Sequence, residues 1–446
     1  MSKETSPPSQ SVTELNACVS TSSGHRNPKE TTFREWLLEN QIGASVTILA
    51  MLLAVHNLYP SLRPYTEPFF QLQYYQPNTG LYTQGWDDIY FVICSAIGFT
   101  AVRAIAIDWV FWPMGRRWGL KRKASIRLAE QAWMAIYYGL FWSCGMYLWS
   151  HSNYWLDFKA VWSDWPSREM TVFMKWYLLT QLSFWMQQLL VIHVEEKRKD
   201  HYQMLSHHVA TITLLTSAYI YSFYNVSNVV LCLMDIVDLL LPIAKILKYL
   251  KYEMACNIVF GVFVLTWLVT RHIAYPLLCW SIYKDVPDQM AYGCYSGATT
   301  EMISTNGYPD NWGHLLGPFK DLNGPICMNR RVKWIFLSFL LFLQGLSLIW
   351  FGMVIRVVVG VLRTGNAEDT RSDDEEDEVE SDSQVSSMRR KEMAKNSIGD
   401  SSSNSEAAFR RSSSRPVRSR GRGGIRLGDQ SDRKALLGRI GCDKPT

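Results

Sequence analysis

The sequence predicts an all-α integral membrane protein with about eight transmembrane helices. Apolar segments long enough to cross a bilayer recur from about residue 44 to about residue 360. The charged residues, 19% of the chain, are concentrated at its two ends and in short connectors. The predicted spans are roughly 44–60, 88–112, 131–150, 174–194, 208–225, 227–246, 255–283 and 333–362.

The chain divides into regions of different composition. Residues 1–35 are polar and rich in Ser and Thr, which predicts a disordered cytosolic tail rather than a signal peptide. Residues 36–122 hold the first pair of spans, and residues 123–363 hold the others. Residues 364–446 are acidic and then rich in Arg, Ser and Gly, a composition that cannot bury enough apolar surface to fold.

This C-terminal tail carries one candidate modification site. Ser372 is followed by acidic residues at every position from Asp373 to Glu378, which suits an acidophilic kinase, although a plain solvated tail has the same composition. The Arg/Gly-rich stretch could touch anionic lipid or RNA, but nothing in it specifies either. No nucleic-acid partner is predicted.

Basic residues in alternate connectors predict the orientation, because short cytosolic loops are enriched in Lys and Arg. Basic clusters follow the second, fourth and sixth predicted spans, and the second of these clusters is Lys197, Arg198 and Lys199. With an even number of spans, both termini are then cytosolic. Arg330, Arg331 and Lys333 are an exception to the rule, since they lie at the lumenal start of the last span.

The cysteines argue for one disulfide and against a zinc site. None of the nine forms a Cys-x-x-Cys pair, so neither a zinc site nor a thioredoxin-like motif is indicated. Cys294 and Cys327 both fall in the long connector assigned to the lumen, where a disulfide can persist. The alternative is a pair of free thiols.

The residues that indicate chemistry are a histidine pair and two acids. His207 and His208 lie where the chain re-enters the membrane from the cytosol, and Asp235 and Asp238 lie in the middle of the next span. An acid at the centre of a spanning helix costs about 2.5–3.5 kcal/mol, so two of them need a polar cavity or partners. The short connection between the two spans, predicted at residues 224–227, holds them antiparallel, which lets these side chains face a shared interior.

A metal site is the main alternative for this cluster. Membrane desaturases and hydroxylases hold two irons with several histidine boxes, whereas here His201 stands apart from the pair and no second box exists. The sequence therefore predicts no metal.

The stretches KRKDHYQMLSHH and LCLMDIVDLLLPIAKILKYL resemble the signature of ceramide synthases in the TLC superfamily, and the acidic, serine-rich tail resembles the fungal branch. The resemblance implies that residues 123–363 form a six-helix TLC bundle around a cavity. It also implies that His207, His208, Asp235 and Asp238 are required for activity. A family member of this kind lies in the endoplasmic reticulum membrane, as a possible homo- or heterodimer with a small single-span accessory subunit.

The implied reaction joins a long or very long chain fatty acyl-CoA to a sphingoid base such as dihydrosphingosine or phytosphingosine. Either His207 carries the acyl group as an acyl-imidazole, which we favour, or a histidine acts as general base for direct attack. In both routes Asp235 or Asp238 would orient a histidine and stabilise its positive charge. Acyl-CoA is a co-substrate, and no tightly bound cofactor is expected.

Two further expectations concern substrate access and alternative functions. Lys197, Arg198 and Lys199 could attract the CoA phosphates, although they also mark topology under the positive-inside rule. An apolar tunnel between the helices would hold the acyl chain. The alternatives are a non-catalytic TLC-like protein in lipid sensing or trafficking, and an acyltransferase with a different acceptor.

Overall fold

The computed structural model describes residues 33–194, 200–297, 299–304 and 312–364. All of them belong to one compact unit, Met1–Asp373. Lys197, Arg198, Lys199 and Ser372, and the tails at 1–32 and 365–446, lie outside the described residues.

The N-terminal part consists of helices joined by a short hairpin. The strands β1 (Tyr75–Gln76) and β2 (Leu81–Tyr82) pair antiparallel. A π-helical segment, Ala106–Phe111, joins the third helix to the fourth without a break. The helices are α1 (Phe33–Leu58), α2 (Arg63–Phe70), α3 (Asp88–Ile105) and α4 (Trp112–Arg117).

The rest of the described chain is a set of long helices with one irregular connector. The helices are α5 (Arg122–Ser150), α6 (Val172–Val194), α7 (His201–Ile220), α8 (Tyr224–Tyr249), α9 (Glu253–Trp267), α10 (Tyr275–Lys284), α11 (Val286–Gln289), α12 (Gly313–Lys320) and α13 (Arg330–Thr364). A second π-helical segment, Leu268–Ala274, links α9 to α10.

The connector before α13 contains a small antiparallel sheet. Its strands are β3 (Gly293–Tyr295), β4 (Met302–Ser304) and β5 (Ile326–Met328), in the order β4-β3-β5. Cys294 lies opposite Cys327 in this sheet, and a disulfide joins their sulfur atoms.

Each predicted span lies on a helix, but only part of the set is apolar throughout. Four described helical stretches are long and apolar enough to cross a membrane: Asn40–Leu58, Asp88–Arg117, Glu253–Lys284 and Arg330–Gly360. The central helices α5 to α8 carry more polar residues, and several of these are buried, among them Lys175, Gln181, Gln187 and Asp235. Polar side chains in the middle of such helices face other helices rather than lipid.

The connection between α7 and α8 is shorter than the sequence suggests. The predicted turn, residues 224–227, forms the start of α8, and the chain reverses at 221–223 instead. Ser222 has a left-handed backbone with φ of 61°, and the Phe223 amide donates to the Ala218 carbonyl at 2.8 Å. Helix α7 also begins at His201 rather than near residue 208, because its first turns are polar and hydropathy detects apolar length, not helix.

A buried ion pair fixes the N-terminal helices to the central ones. Lys175 Nζ on α6 lies 2.7 Å from an Asp88 carboxylate oxygen on α3 and also donates to the carbonyls of Gln73 and Thr83. The Tyr219 hydroxyl on α7 donates to the other Asp88 oxygen at 2.7 Å. A charged pair with this many hydrogen bonds offsets its desolvation, whereas losing one partner would leave a buried charge. The helix that carries the histidines is thereby anchored at its far end.

Candidate active site

The histidine pair lies in the second turn of α7, and its members face different surroundings. Adjacent residues on a helix point about 100° apart. His208 is buried, and its Nδ1 lies 2.7 Å from the Met204 carbonyl, to which it donates. His207 lines a pocket, and its Nδ1 has no hydrogen-bond partner among the described residues. Of the two, His207 therefore has the imidazole available to a bound molecule.

Tryptophans enclose the His207 ring. The ring centroids of Trp185 on α6 and Trp350 on α13 lie 5.7 Å and 5.3 Å from that of His207, both edge-on. Such contacts fix the plane of an imidazole without occupying its nitrogens.

Asp238 is paired with an arginine that sequence reasoning missed. Arg271 lies in the π-helical segment between α9 and α10, and one Nη atom donates to Asp238 Oδ2 and to the Met234 carbonyl, both at 3.0 Å. The guanidinium also lies over the Trp267 ring, 4.5 Å from its centroid. Both Asp238 and Arg271 line the His207 pocket. An arginine inside the predicted span 255–283 was the available signal, because such a residue marks a functional site by default.

Asp235 lies one turn away and has a different partner. It is fully buried and accepts a hydrogen bond from Gln181 Nε2 at 2.8 Å, while the Tyr137 hydroxyl donates to Gln181 Oε1 at 2.7 Å. Asp235 Oδ1 has no partner among the described residues. Asp238 thus lines the pocket with His207 and is paired with an arginine, whereas Asp235 is buried beside Gln181 and is not among the residues that line the pocket.

The pocket itself is apolar along most of its length. Its walls come from α7, α8, α10 and α13, with Leu214, Leu231, Leu340 and Phe336 among them. His207, Asp238 and Arg271 line the end next to Trp350, and Lys333, in the first turn of α13, lines the other end. Such a shape accepts a long hydrocarbon chain with one reactive end.

Several hydrogen-bond donors in the pocket have no partner among the described residues. They are Trp185 Nε1, Trp350 Nε1, Thr211 Oγ1 and Ser347 Oγ, all buried and all from pocket-lining residues. A buried polar atom without a partner requires an explanation, and binding of a polar group is one. No single-sequence signal marks these residues, because Trp, Thr and Ser are common in spanning helices.

The remaining predicted sites lie elsewhere. The Cys294–Cys327 disulfide belongs to the small sheet, and the residues proposed for CoA and for phosphorylation fall outside the described part. Within the described ranges, no group of three or more His, Cys, Asp or Glu side chains could hold a metal ion.

Comparisons with known proteins indicate one family and one class of enzyme. Residues 127–356 match the TLC domain family. A sphingosine N-acyltransferase-like protein of Alternaria alternata is 42% identical over 357 residues, covering 79% of this chain and 79% of the relative. A ceramide synthase of Gibberella moniliformis is 37% identical, covering 75% of this chain and 79% of the relative. A sphingosine N-acyltransferase of Schizosaccharomyces pombe is also 37% identical, covering 73% and 77%.

Proposed function

The chain belongs to the TLC domain family as a fungal-type ceramide synthase, and we propose that His207 carries the acyl group during transfer. The substrates would be a long or very long chain fatty acyl-CoA and a sphingoid base, dihydrosphingosine or phytosphingosine. The observation that carries this mechanism is the pocket: His207, whose Nδ1 has no partner in the described part of the chain, lies at the polar end of an apolar cavity.

The first half of the reaction is thioester cleavage. A nitrogen of neutral His207 attacks the thioester carbonyl, a carbon–nitrogen bond forms, and the carbon–sulfur bond breaks. CoA leaves as a thiolate and takes up the proton that the acylated imidazole loses. The indole N–H groups of Trp185 and Trp350 lie on rings beside His207 and have no acceptor among the described residues, so they are proposed to donate to the oxygen that becomes negative.

The second half transfers the acyl group to nitrogen. The sphingoid amine in its neutral form attacks the acyl-imidazole, an amide bond forms, and the imidazole of His207 leaves. The proton lost by the amine returns to the imidazole, so the sum is one amide and one CoA thiol. His208 is not among the residues that line the pocket; its ring lies edge-on to that of His207, with the centroids 5.6 Å apart, and its Nδ1 donates to the Met204 carbonyl, so its proposed role is to position His207.

The aspartates act on charge and position in this scheme. Asp238 holds Arg271 at the pocket wall, where the pair supplies a fixed field beside His207. Asp235, one helical turn from Asp238 and hydrogen-bonded to Gln181, is proposed to position this part of α8 rather than to touch the substrate. The general-base route without an acyl-enzyme remains the second candidate mechanism, because the same residues would support it.

The membrane setting completes the proposal. We place the protein in the endoplasmic reticulum membrane with about eight spans and both termini in the cytosol, on the distribution of basic connectors. The histidine end of the pocket then faces the cytosol, where CoA is dissolved, and Lys197, Arg198 and Lys199 are proposed to attract its phosphates. A dimer and a small single-span accessory subunit, as in the fungal family, are part of the proposal.

The test is an assay of the purified full-length protein with acyl-CoA and dihydrosphingosine, with amide product and free CoA both measured. We expect equal amounts of the two from the wild type and neither from His207→Ala. His193→Ala is the matched control, since that histidine is exposed and its Nδ1 donates to the Leu189 carbonyl of its own helix. Acyl-CoA binding without turnover would favour the non-catalytic alternative, and turnover with another acceptor alone would favour a different acyltransferase.

A further inference from the structure

Lys333 breaks the pattern of basic residues that sets the orientation of the chain. Positive charge is enriched on the cytosolic side of membrane proteins, yet Lys333 lies at the opposite end of α13 from the catalytic histidine. Arg330 and Arg331, its neighbours in sequence, are exposed, whereas Lys333 is only 7% exposed. Orientation therefore gives no reason for its position or its burial.

One face of α13 runs the whole length of the pocket. The pocket-lining residues of this helix recur at alternating steps of three and four, as one helical stripe does: Lys333, Phe336, Leu340, Leu343, Ser347 and Trp350. Trp350 is in contact with His207, so the stripe begins at the reactive group. It ends at Lys333.

Aromatic rings hold the Lys333 head group at that end. Its Nζ lies 5.4 Å from the centroid of Tyr283 on α10 and 6.0 Å from that of Trp334. Cation–π contacts of this kind fix an ammonium group next to apolar surroundings. The Lys333 side chain thus places a positive charge at the end of a pocket whose walls are mostly apolar.

We propose that Lys333 ends the acyl-chain site and sets the longest acyl group that the enzyme transfers efficiently. The proposal rests on the proposed function, in which the acyl carbon is bonded to His207. A terminal methyl group gains from burial against apolar atoms, whereas a chain long enough to cover the ammonium group of Lys333 must exclude water from a charge. That exclusion costs free energy, so binding weakens once the chain passes Lys333.

The helix gives the length of that site. The stripe from Lys333 to Trp350 rises about 25 Å at about 1.5 Å per residue, and an extended hydrocarbon with bonds of about 1.5 Å covers that distance in about 20 carbons. Each buried methylene contributes about fourfold in affinity. Activity should therefore rise with chain length up to roughly 20 carbons and then fall sharply.

The experiment is a scan of saturated acyl-CoA substrates with purified wild-type protein and dihydrosphingosine. We expect kcat/KM to drop at least about tenfold within two carbons beyond the optimum. A profile that declines gradually, or has no upper limit, would overturn the proposal without any variant. A wild type that makes no ceramide at any length would instead contradict the proposed function.

Variants of Lys333 test whether this residue sets the upper limit of acyl-chain length. Lys333→Met keeps the stem and removes the charge, and Lys333→Ala removes both, so each should move the upper limit to longer chains by at least two carbons. Arg330→Met removes a charge from the same turn of α13 at an exposed position and should leave the limit unchanged. An unchanged limit in folded Lys333 variants, or an equal shift in Arg330→Met, would show that Lys333 does not set it.

Discussion

The buried tryptophans at the two ends of the helical bundle differ in the hydrogen bonding of their indole nitrogens. At the end away from the histidines, the indole nitrogens of Trp149, Trp162 and Trp165 donate to the Tyr154 carbonyl, Ser281 Oγ and the Tyr221 carbonyl, at 3.1, 2.9 and 2.9 Å. At the histidine end, Trp185 and Trp350 are equally buried, and their indole nitrogens have no partner in the described part of the chain.

Tryptophans whose indole nitrogens have acceptors stabilise the fold, whereas those without an acceptor among the described residues can donate to a ligand. A satisfied buried hydrogen bond contributes about 0.5–1.5 kcal/mol to stability, whereas an unsatisfied donor costs about 1–3 kcal/mol. The fold tolerates that cost at the histidine end, where His207 Nδ1, Thr211 Oγ1 and Ser347 Oγ of the same pocket also have no partner among the described residues. A cluster of such groups around one pocket is best explained by a polar substrate group or transition state that binds there.

The largest expected effect is at His207. His207→Ala removes the proposed nucleophile, so kcat should fall by about 1,000-fold or more. Thermal unfolding in detergent should change little, because the ring lines a pocket rather than filling the core. Activity within tenfold of wild type would contradict both the covalent mechanism and the importance of this end of the bundle.

The buried ion pair comes next. Arg271→Met removes the guanidinium that pairs with Asp238, and loss of one member of a buried pair costs about 3–5 kcal/mol. The unfolding temperature should drop clearly, and Asp238→Asn in the same chain should restore much of it without restoring activity. Full recovery of activity in the double variant would show that the pair has only a structural role.

The disulfide at the opposite end should affect stability alone. Closing a loop of 33 residues stabilises a protein by about 2–4 kcal/mol, so Cys294→Ser should lower the unfolding temperature while kcat stays near wild type. Peptide maps with and without reduction should differ by the linked Cys294–Cys327 peptide. If both thiols can be alkylated in the native protein, the disulfide does not form, and the lumenal assignment of this connector loses support.

The smallest expected effects are those of Trp→Phe substitutions, which compare tryptophans at the two ends of the bundle directly. Trp350→Phe and Trp185→Phe should lower kcat by about 10- to 100-fold, since each removes a donor to the oxyanion, with little change in unfolding temperature. Trp165→Phe leaves the Tyr221 carbonyl without this donor, and Trp165 is not among the residues that line the His207 pocket, so the change should cost about 1–3 kcal/mol of stability with kcat unchanged. The reverse pattern would show that the unpartnered donors have no catalytic role.

The family and the enzyme class could be read from the sequence because they depend on local motifs. The histidine pair and the Asp-x-x-Asp motif each occupy a few consecutive residues. The comparisons confirm the family resemblance that these motifs indicate. Each predicted span also lies on a helix, since apolar runs are a strong signal. The turn before α8 lies a few residues earlier than the sequence predicts, because a left-handed Ser222 leaves no clear trace in the sequence.

The partners within the site could not be predicted in the same way. Arg271 reaches Asp238 across 33 residues of sequence, and Gln181 reaches Asp235 across 54. Such pairings depend on which helices pack together, and one sequence does not contain that information. The unpartnered donors are still less predictable, because the lack of a partner is a property of the packed bundle and not of any residue type.

The acyl-histidine intermediate is the central claim, and intact-protein mass spectrometry tests it most directly. Wild-type protein incubated with acyl-CoA alone should release CoA in an amount comparable to enzyme and gain the mass of one acyl group, with the modified peptide containing His207. Addition of sphingoid base should discharge the adduct and yield ceramide, and His207→Ala should form no adduct. An active wild type that never shows the added mass, even with the base omitted and the reaction quenched rapidly, would contradict the covalent mechanism and leave direct attack assisted by a histidine base.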